Sequence, residues 1–241
     1  MSTIASEFNF CIELRDIIRT QRMVGRSGKT FEGLGALSSP NNLLTLRNLC
    51  LDLRPARSME IGLSFGGSCL AITSTLREMG VTPSRQHLAL DPYQKQVWDD
   101  TGLMAVEQAG LDGYLEFRSA FSGLELPRLV ESNAELDLVY IDGSHLFEDV
   151  FVDFYYVARL LKKGGVVVFD DSSNGNVFKV LRFIRRNMKS EFAELDLGQY
   201  RPDGGRPLKY KLAKRLGKVQ MTGFKRVGPA TRNWNASFVD F

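Results

Sequence analysis

The chain has 241 residues, 44% of them hydrophobic, 24% charged and 10% aromatic, the profile of a soluble globular protein most simply built as one large α/β domain. Thirty-one basic side chains against 28 acidic ones leave a net charge of +3, which demands neither a nucleic-acid nor a membrane partner. No apolar stretch approaches the roughly 18 residues of a membrane span, and three widely spaced cysteines (Cys11, Cys50, Cys69) argue against a disulfide framework or a cysteine-only zinc site.

The start, MSTIASEFNFCIELRDIIRT, lacks a basic patch followed by an apolar block, so no secretory signal is expected and a cytoplasmic location follows. The first fifty residues read as mostly helical, with a break at 26–40. The apolar residues Phe8, Phe10, Ile12, Leu14, Ile17 and Ile18 could pack on the chain's own core or on a second subunit of a homodimer. Five short apolar runs follow as candidate strands: Ser58–Leu63, His87–Asp91, Tyr114–Ser119, Leu136–Asp142 and Gly165–Asp170. Helix-length stretches separate them: Ser68–Gly80, Lys95–Gly110, Gly123–Asn133 and Phe147–Lys163. Strand and helix alternating in this way imply parallel pairing with helices on both faces. Runs such as VVVF and LVYI suit strands covered on both sides. The helix ending at Leu161 is expected to stop at Lys162-Lys163-Gly164-Gly165, with two cations at the negative end of its dipole. Asn174–Met188 reads as one more helix. Phe192–Tyr200 and Val219–Val227 read as an antiparallel pair closing the sheet edge, joined by a loop holding Pro202, Gly204, Gly205 and Pro207. Trp98 and Trp234 read as packing residues. The fold class is thus a Rossmann-like, doubly wound α/β sheet, mostly parallel and seven-stranded, with an antiparallel C-terminal edge hairpin and an N-terminal helical cap.

In such sheets ligands sit beyond the carboxyl ends of the strands. The first end is Glu60-Ile61-Gly62-Leu63-Ser64-Phe65-Gly66-Gly67-Ser68. Its glycines allow a tight turn and close approach of a ligand, and the free N–H groups of the following helix would face the pocket. The spacing G-x-x-x-G-G departs from the G-x-G-x-x-G dinucleotide fingerprint; a plain strand-to-helix turn is the simpler alternative. Asp91, at the second end, can accept both ribose hydroxyls of an adenosine, or can cap a helix. The third end, Arg118-Ser119-Ala120-Phe121-Ser122, could wall an adenine ring. At the fourth and fifth ends, Asp142, Asp170 and Asp171 would crowd one pocket, since neighbouring strands lie about 4.8 Å apart. A divalent cation with oxygen ligands, Mg²⁺ above all, would relieve their repulsion; alternatively Asp171 caps the next helix and Asp170 meets an arginine. His145 lies three residues after Asp142 and could take a proton from a substrate hydroxyl, or cap the helix near Phe147. His87 reads as structural or as a surface residue.

Taken in order, E-I-G-x-x-x-G-x-S, LALD, LVYIDGSH and LLKKGGVVVFDD resemble the class I S-adenosylmethionine-dependent methyltransferases. IDGSH followed by GG-x-x-x-x-DD is similar to sugar O-methyltransferases of the macrocin type, and more distantly to the catechol and caffeoyl-CoA O-methyltransferases. The resemblance covers about residues 43–188. It implies that Glu60, Gly62, Ser64, Gly66 and Ser68 line the methionine part of the donor and that Asp91 binds its ribose beside Ser119 and Ala120. It further implies that Asp142, Asp170 and Asp171 ligate a metal beside the donor and that His145, with Asp142, serves catalysis. Catechol-type enzymes carry Asp-Asn where this chain has Asp170-Asp171. Thr30–Ser39 resembles the family's lid, where Glu32 would meet the donor's amino group. The implied organisation is a single methyltransferase domain: cap and lid over 1–50, donor-binding core over 51–190, β-rich edge and tail over 191–241. The implied reaction is O-methylation of a small hydroxylated acceptor, a sugar or a phenolic natural product.

Two rival functions share parts of this pattern. A nicotinamide-dependent dehydrogenase would share the sheet and Asp91, but the fingerprint spacing and a Tyr-x-x-x-Lys pair are missing. A nucleic-acid methyltransferase or RNA-binding module would use residues 201–226, where nine Lys/Arg stand against Asp203 alone, with Tyr200, Tyr210 and Phe224 interleaved. The same stretch also suits a solvated sheet edge or an anionic small acceptor.

Overall fold

The computed structural model describes residues 6–229 and 232–241. Residues 1–5 of the expected cap and residues 230 and 231 of the expected tail lie outside the described residues. Two compact units account for the chain. One comprises Met1–Arg54, Met59–Phe121 and Tyr200–Pro202; the other comprises Pro55–Ser58, Ser122–Gln199 and Asp203–Phe241.

The first unit begins with helix α1 (Ile12–Thr20), an antiparallel ribbon of β1 (Arg22–Val24) and β2 (Thr30–Glu32), and helix α2 (Pro40–Leu53). Phe8, Leu14 and Ile17 are buried in this unit, so much of the amphipathic start packs on its own core. Ser39 caps α2 by accepting from the Asn42 N–H at 3.3 Å, and Pro40 occupies the first turn, where its missing N–H costs nothing. Then come β3 (Ser58–Ile61), α3 (Gly67–Glu78), β4 (His87–Leu90), α4 (Thr101–Gln108) and β5 (Leu115–Arg118). Every residue of β3 and β4 is buried, as strands of a parallel sheet covered on both faces require. Helix α3 is buried from Gly67 through Leu76, all round its axis.

The second unit holds α5 (Ser122–Glu131), β6 (Leu136–Ile141), α6 (Phe147–Leu160), β7 (Leu161–Phe169), α7 (Gly175–Asn187), β8 (Phe192–Leu195), α8 (Leu208–Arg215) and β9 (Thr222–Arg226). Strands β6 and β7 are parallel, Ile141 opposite Phe169; β9 runs antiparallel to both β7 and β8. Phe154 packs on Phe169 and Phe192, and Phe169 on Phe224, with ring centroids 5.4–6.2 Å apart. These contacts bind α6 to the sheet.

Seven of the strands form the sheet in the order β5-β4-β3-β6-β7-β9-β8, mostly parallel with the antiparallel C-terminal hairpin that the sequence implies. Five local expectations differ from the structure. Helix α6 ends at Leu160, and Leu161 is already extended (φ −70°, ψ 130°), so Lys162 and Lys163 belong to β7 rather than to a helix stop. Lys162 lies 3.3 Å from Asp137; a strand carboxylate claims the cation, not the helix dipole. The stretch expected to be helical from Lys95 turns instead until α4 begins, because Asp99 and Asp100 both adopt left-handed backbone (φ 48° and 58°). The break at 26–40 contains the β1–β2 ribbon, whose three-residue strands are too short to show a period. The loop between the last two strands contains α8. Trp98 packs edge-on against Phe65 at 5.0 Å, but Trp234 is 95% exposed.

Candidate active site

In the first unit the chain leaves β3 through Gly62-Leu63-Ser64-Phe65-Gly66. Gly66 has φ +78° and starts α3. A Cβ there would lie 3.0 Å from the Gly102 carbonyl oxygen, and a Cβ on Gly102 would lie 2.5 Å from that of Ser64. Only two residues without side chains allow this approach. Below the loop, Asp91 acts as a brace. Its Oδ2 accepts from the Leu63 and Ser64 N–H groups at 3.2 and 2.9 Å, and its Oδ1 from the Tyr93 N–H at 2.8 Å. Gln94 donates to the same carboxylate at 3.0 Å and to the Ser64 carbonyl at 2.7 Å. The acid expected to hold a ribose is therefore buried and engaged by the loop itself. Gln94, three residues on, was not singled out in the sequence. Ser64 Oγ, Gln94 Oε1 and Thr101 Oγ1 are buried with no hydrogen-bond partner among the described residues. Each such buried polar atom needs a partner, which a bound ligand or water can supply.

Glu60 is fully buried, not laid along the loop surface. It accepts a short hydrogen bond from Ser68 Oγ and sits 3.2 Å from His87 Nε2, with Cys69 close by. His87, at the first residue of β4, is thus a core residue. Burial keeps the Cys69 thiol far above its usual pKa. Ser119 is exposed, and the Ala120 N–H returns to the Arg118 carbonyl at 3.0 Å in a tight turn after β5. Beyond these ends the exposed rings of Tyr93 and Phe121 meet edge-on at 5.8 Å, a pair the sequence did not single out. The ribbon reaches the loop through Phe31, 5.6 Å from Phe65. Its turn is fastened by Ser27, whose N–H and hydroxyl donate to Asp99 at 3.0 and 2.7 Å; the hydroxyl bond holds the Asp99 carboxyl below its usual pKa. Glu32 is exposed, 3.7 Å from Arg22.

In the second unit the ends of β6 and β7 bring Asp142, His145 and Asp171 together, with ligating atoms within 4.8 Å of one another. His145 Nε2 lies 2.7 Å from Asp171 Oδ2. That carboxylate favours the tautomer with Nε2–H, which leaves Nδ1 as the basic nitrogen. The His145 carbonyl accepts from Asn176 Nδ2 at 3.0 Å, which ties the 142–146 loop to the start of α7. Asp171 has left-handed backbone (φ 45°), and its Oδ1 accepts from Gln220 at 3.4 Å. Asp170 does not join the cluster. It is buried, accepts a short hydrogen bond from Tyr140 Oη, and takes the Asp171 N–H at 2.8 Å. Tyr140 is one of its partners, and Asn174, not Asp171, caps α7, accepting from the Asn176 N–H at 2.9 Å. The donor set is two carboxylates and an imidazole.

Residues 59–172 match the family described as a methyltransferase domain. The rhamnosyl O-methyltransferase of Mycobacterium tuberculosis is 23% identical over 153 residues, 61% of this chain and 58% of that protein; the counterpart from Mycobacterium bovis gives the same figures. This chain thus spans under two thirds of the length of these curated relatives. Among solved structures, an O-methyltransferase of tomaymycin synthesis from Streptomyces achromogenes, in complex with SAM, has a TM-score of 0.56 at 17% identity, over 80% of this chain and 82% of that one. An O-methyltransferase from Bacillus cereus in complex with SAH has a TM-score of 0.57 at 18% identity, over 76% and 82%. These findings support the class I S-adenosylmethionine-dependent methyltransferase resemblance carried by the motifs, and the last two share the fold.

Proposed function

We propose that this chain is an S-adenosylmethionine-dependent O-methyltransferase that methylates a hydroxyl of a small molecule, a sugar or a phenolic natural product, with help from a divalent cation. The observation that carries this reading is the methyltransferase-family match over residues 59–172, which spans both the braced glycine loop and the Asp142–His145–Asp171 cluster. The rhamnosyl O-methyltransferases among the relatives favour a sugar hydroxyl as acceptor. The free, buried thiols suit a cytoplasmic setting.

The donor's sulfonium supplies an already activated methyl group. What the chain must do is hold that group, align an acceptor oxygen and remove a proton; alignment is worth about 7–11 kcal/mol of barrier when geometry is good. The backbone around Gly62, Ser64 and Gly66 holds the donor's methionine part, with Glu60 and Ser68 shaping the loop from beneath. Asp91 orders the loop that meets the ribose, and Ser119 and Ala120 border the adenine. Asp142 and Asp171 would hold the cation; Mg²⁺ would suit a site with two carboxylates because it retains several oxygen ligands from water or substrate. Such a cation would lower the pKa of an acceptor hydroxyl. His145 takes the acceptor proton on Nδ1 while the methyl leaves sulfur for oxygen, so S-adenosylhomocysteine and the methyl ether are the products.

The test is calorimetric titration of the full chain with S-adenosylhomocysteine, followed by methyl transfer to hydroxylated sugars and phenols with Mg²⁺ or with a chelator. Binding at one site per chain and chelator-sensitive transfer are expected. No binding, in calorimetry and thermal shift alike, would remove the donor; transfer undiminished by chelator would remove the cation.

A further inference from the structure

Helix α8, LKYKLAKR, contains four cations and no acid. Its inner side is the side of Tyr210, Ala213 and the following Gly217. The Tyr210 ring covers Gly205 and Gly198, where added Cβ atoms would lie 3.1 and 3.2 Å from it, and a Cβ on Gly217 would lie 3.2 Å from Phe178. Lys214, on the same side, reaches Asp196 at 2.5 Å. The outer side carries Leu208, Leu212 and Leu216, which are 81%, 54% and 58% exposed. At about 100° per residue these leucines fall on one stripe, bordered by Lys209, Lys211 and Arg215. Arg206 and Lys218 flank the helix, and all five cations are exposed. An ordinary surface helix turns its leucines inward and its charges outward; α8 turns leucines and charges outward together.

We propose that α8 is an interfacial helix that seats Leu208, Leu212 and Leu216 in the headgroup boundary of an anionic phospholipid surface. Leucines flanked by lysine and arginine are the pattern by which a helix lies in a bilayer interface, where apolar burial and attraction to anionic headgroups act together. The modest net charge of the chain conceals this local excess. A second copy of the chain is a poorer occupant, because its cations would oppose these. A nucleic acid is poorer too. The aromatics that would stack on bases face elsewhere: Tyr210 covers the glycines, Phe224 is buried in the sheet, and Tyr200 Oη donates to Asp52 at 2.7 Å. Arg226 is likewise engaged, with the Ala158 and Leu161 carbonyls at 2.7 Å. The proposal does not depend on the methyltransferase reading.

The full chain is floated with phosphatidylcholine vesicles, and with vesicles that also contain phosphatidylglycerol, at low and high salt. It should float with the anionic vesicles and not with the neutral ones. The double variant Leu208→Ser/Leu212→Ser should lose roughly tenfold or more of that affinity with an unchanged melting temperature, since neither side chain is in the core. Lys209→Glu/Lys211→Glu should lose it as well. Failure to float with anionic vesicles overturns the proposal, and so does a leucine variant that floats as well as the parent. Binding of a labelled RNA oligonucleotide without vesicle binding, or a dimer in solution that the leucine variant dissociates, would assign the face to those partners instead.

Discussion

Asp153 lies on α6 with only 2% of its surface exposed. Burial pushes its carboxyl up from 3.8 to about 7; a hydrogen bond with Ser122 opposes the shift and the charge of Asp149 adds to it. Its Oδ1 has no partner among the described residues. The sign follows from proton counting. Above pH 4 the unfolded chain releases this proton, while the folded chain keeps it until about pH 7. Stability therefore falls as pH rises through that window, and the full penalty is present above it. Three pKa units at 1.36 kcal/mol each set the scale at about 4 kcal/mol. Asp153→Asn keeps the shape and an acceptor for Ser122 but does not titrate. The variant should thus gain on the parent as pH rises, by roughly 2–4 kcal/mol between about pH 4.5 and pH 8. Urea unfolding followed by circular dichroism across that range measures it. A variant-to-parent difference that stays constant with pH would refute the argument, because a purely steric effect has no pH dependence.

Other consequences are equally direct. Gly102→Ala would press a Cβ to 2.5 Å from the Ser64 carbonyl oxygen; the displaced loop should weaken S-adenosylhomocysteine binding about tenfold or more, a cost of 1–3 kcal/mol, read by calorimetry. Asp91→Ala strips the acceptor from three backbone N–H groups and Gln94. It should destabilise the fold by about 2–4 kcal/mol, measured by urea unfolding, whereas a residue acting only on a ribose would leave stability untouched. His145→Ala should abolish methyl transfer while donor binding stays within about twofold; undiminished turnover would take His145 out of the mechanism.

Strand and helix identities were legible because their signals are local. LVYI and VVVF are too uniformly apolar to face water, and Gly62, Gly66 and Gly67 mark a turn wherever they sit. The β1–β2 ribbon and α8 escaped because three-residue strands show no period and because α8 turns its half-buried Tyr210 and Ala213, instead of its leucines, toward the protein. The candidate site divides in the same way. Sequence alone set which acids stand at the strand ends, since each closes an apolar run. Tertiary structure alone decided which of them meet. Asp170 and Asp171 are neighbours, but both lie beyond the last residue of β7, and the left-handed backbone of Asp171 turns its side chain away from that of Asp170. Asp170 turns inward to Tyr140, and Asp171, in left-handed backbone, turns out to His145. Asp91 likewise ends its strand as expected, yet the loop that folds over it supplies N–H groups before any ligand can, and no spacing in the sequence records that closure.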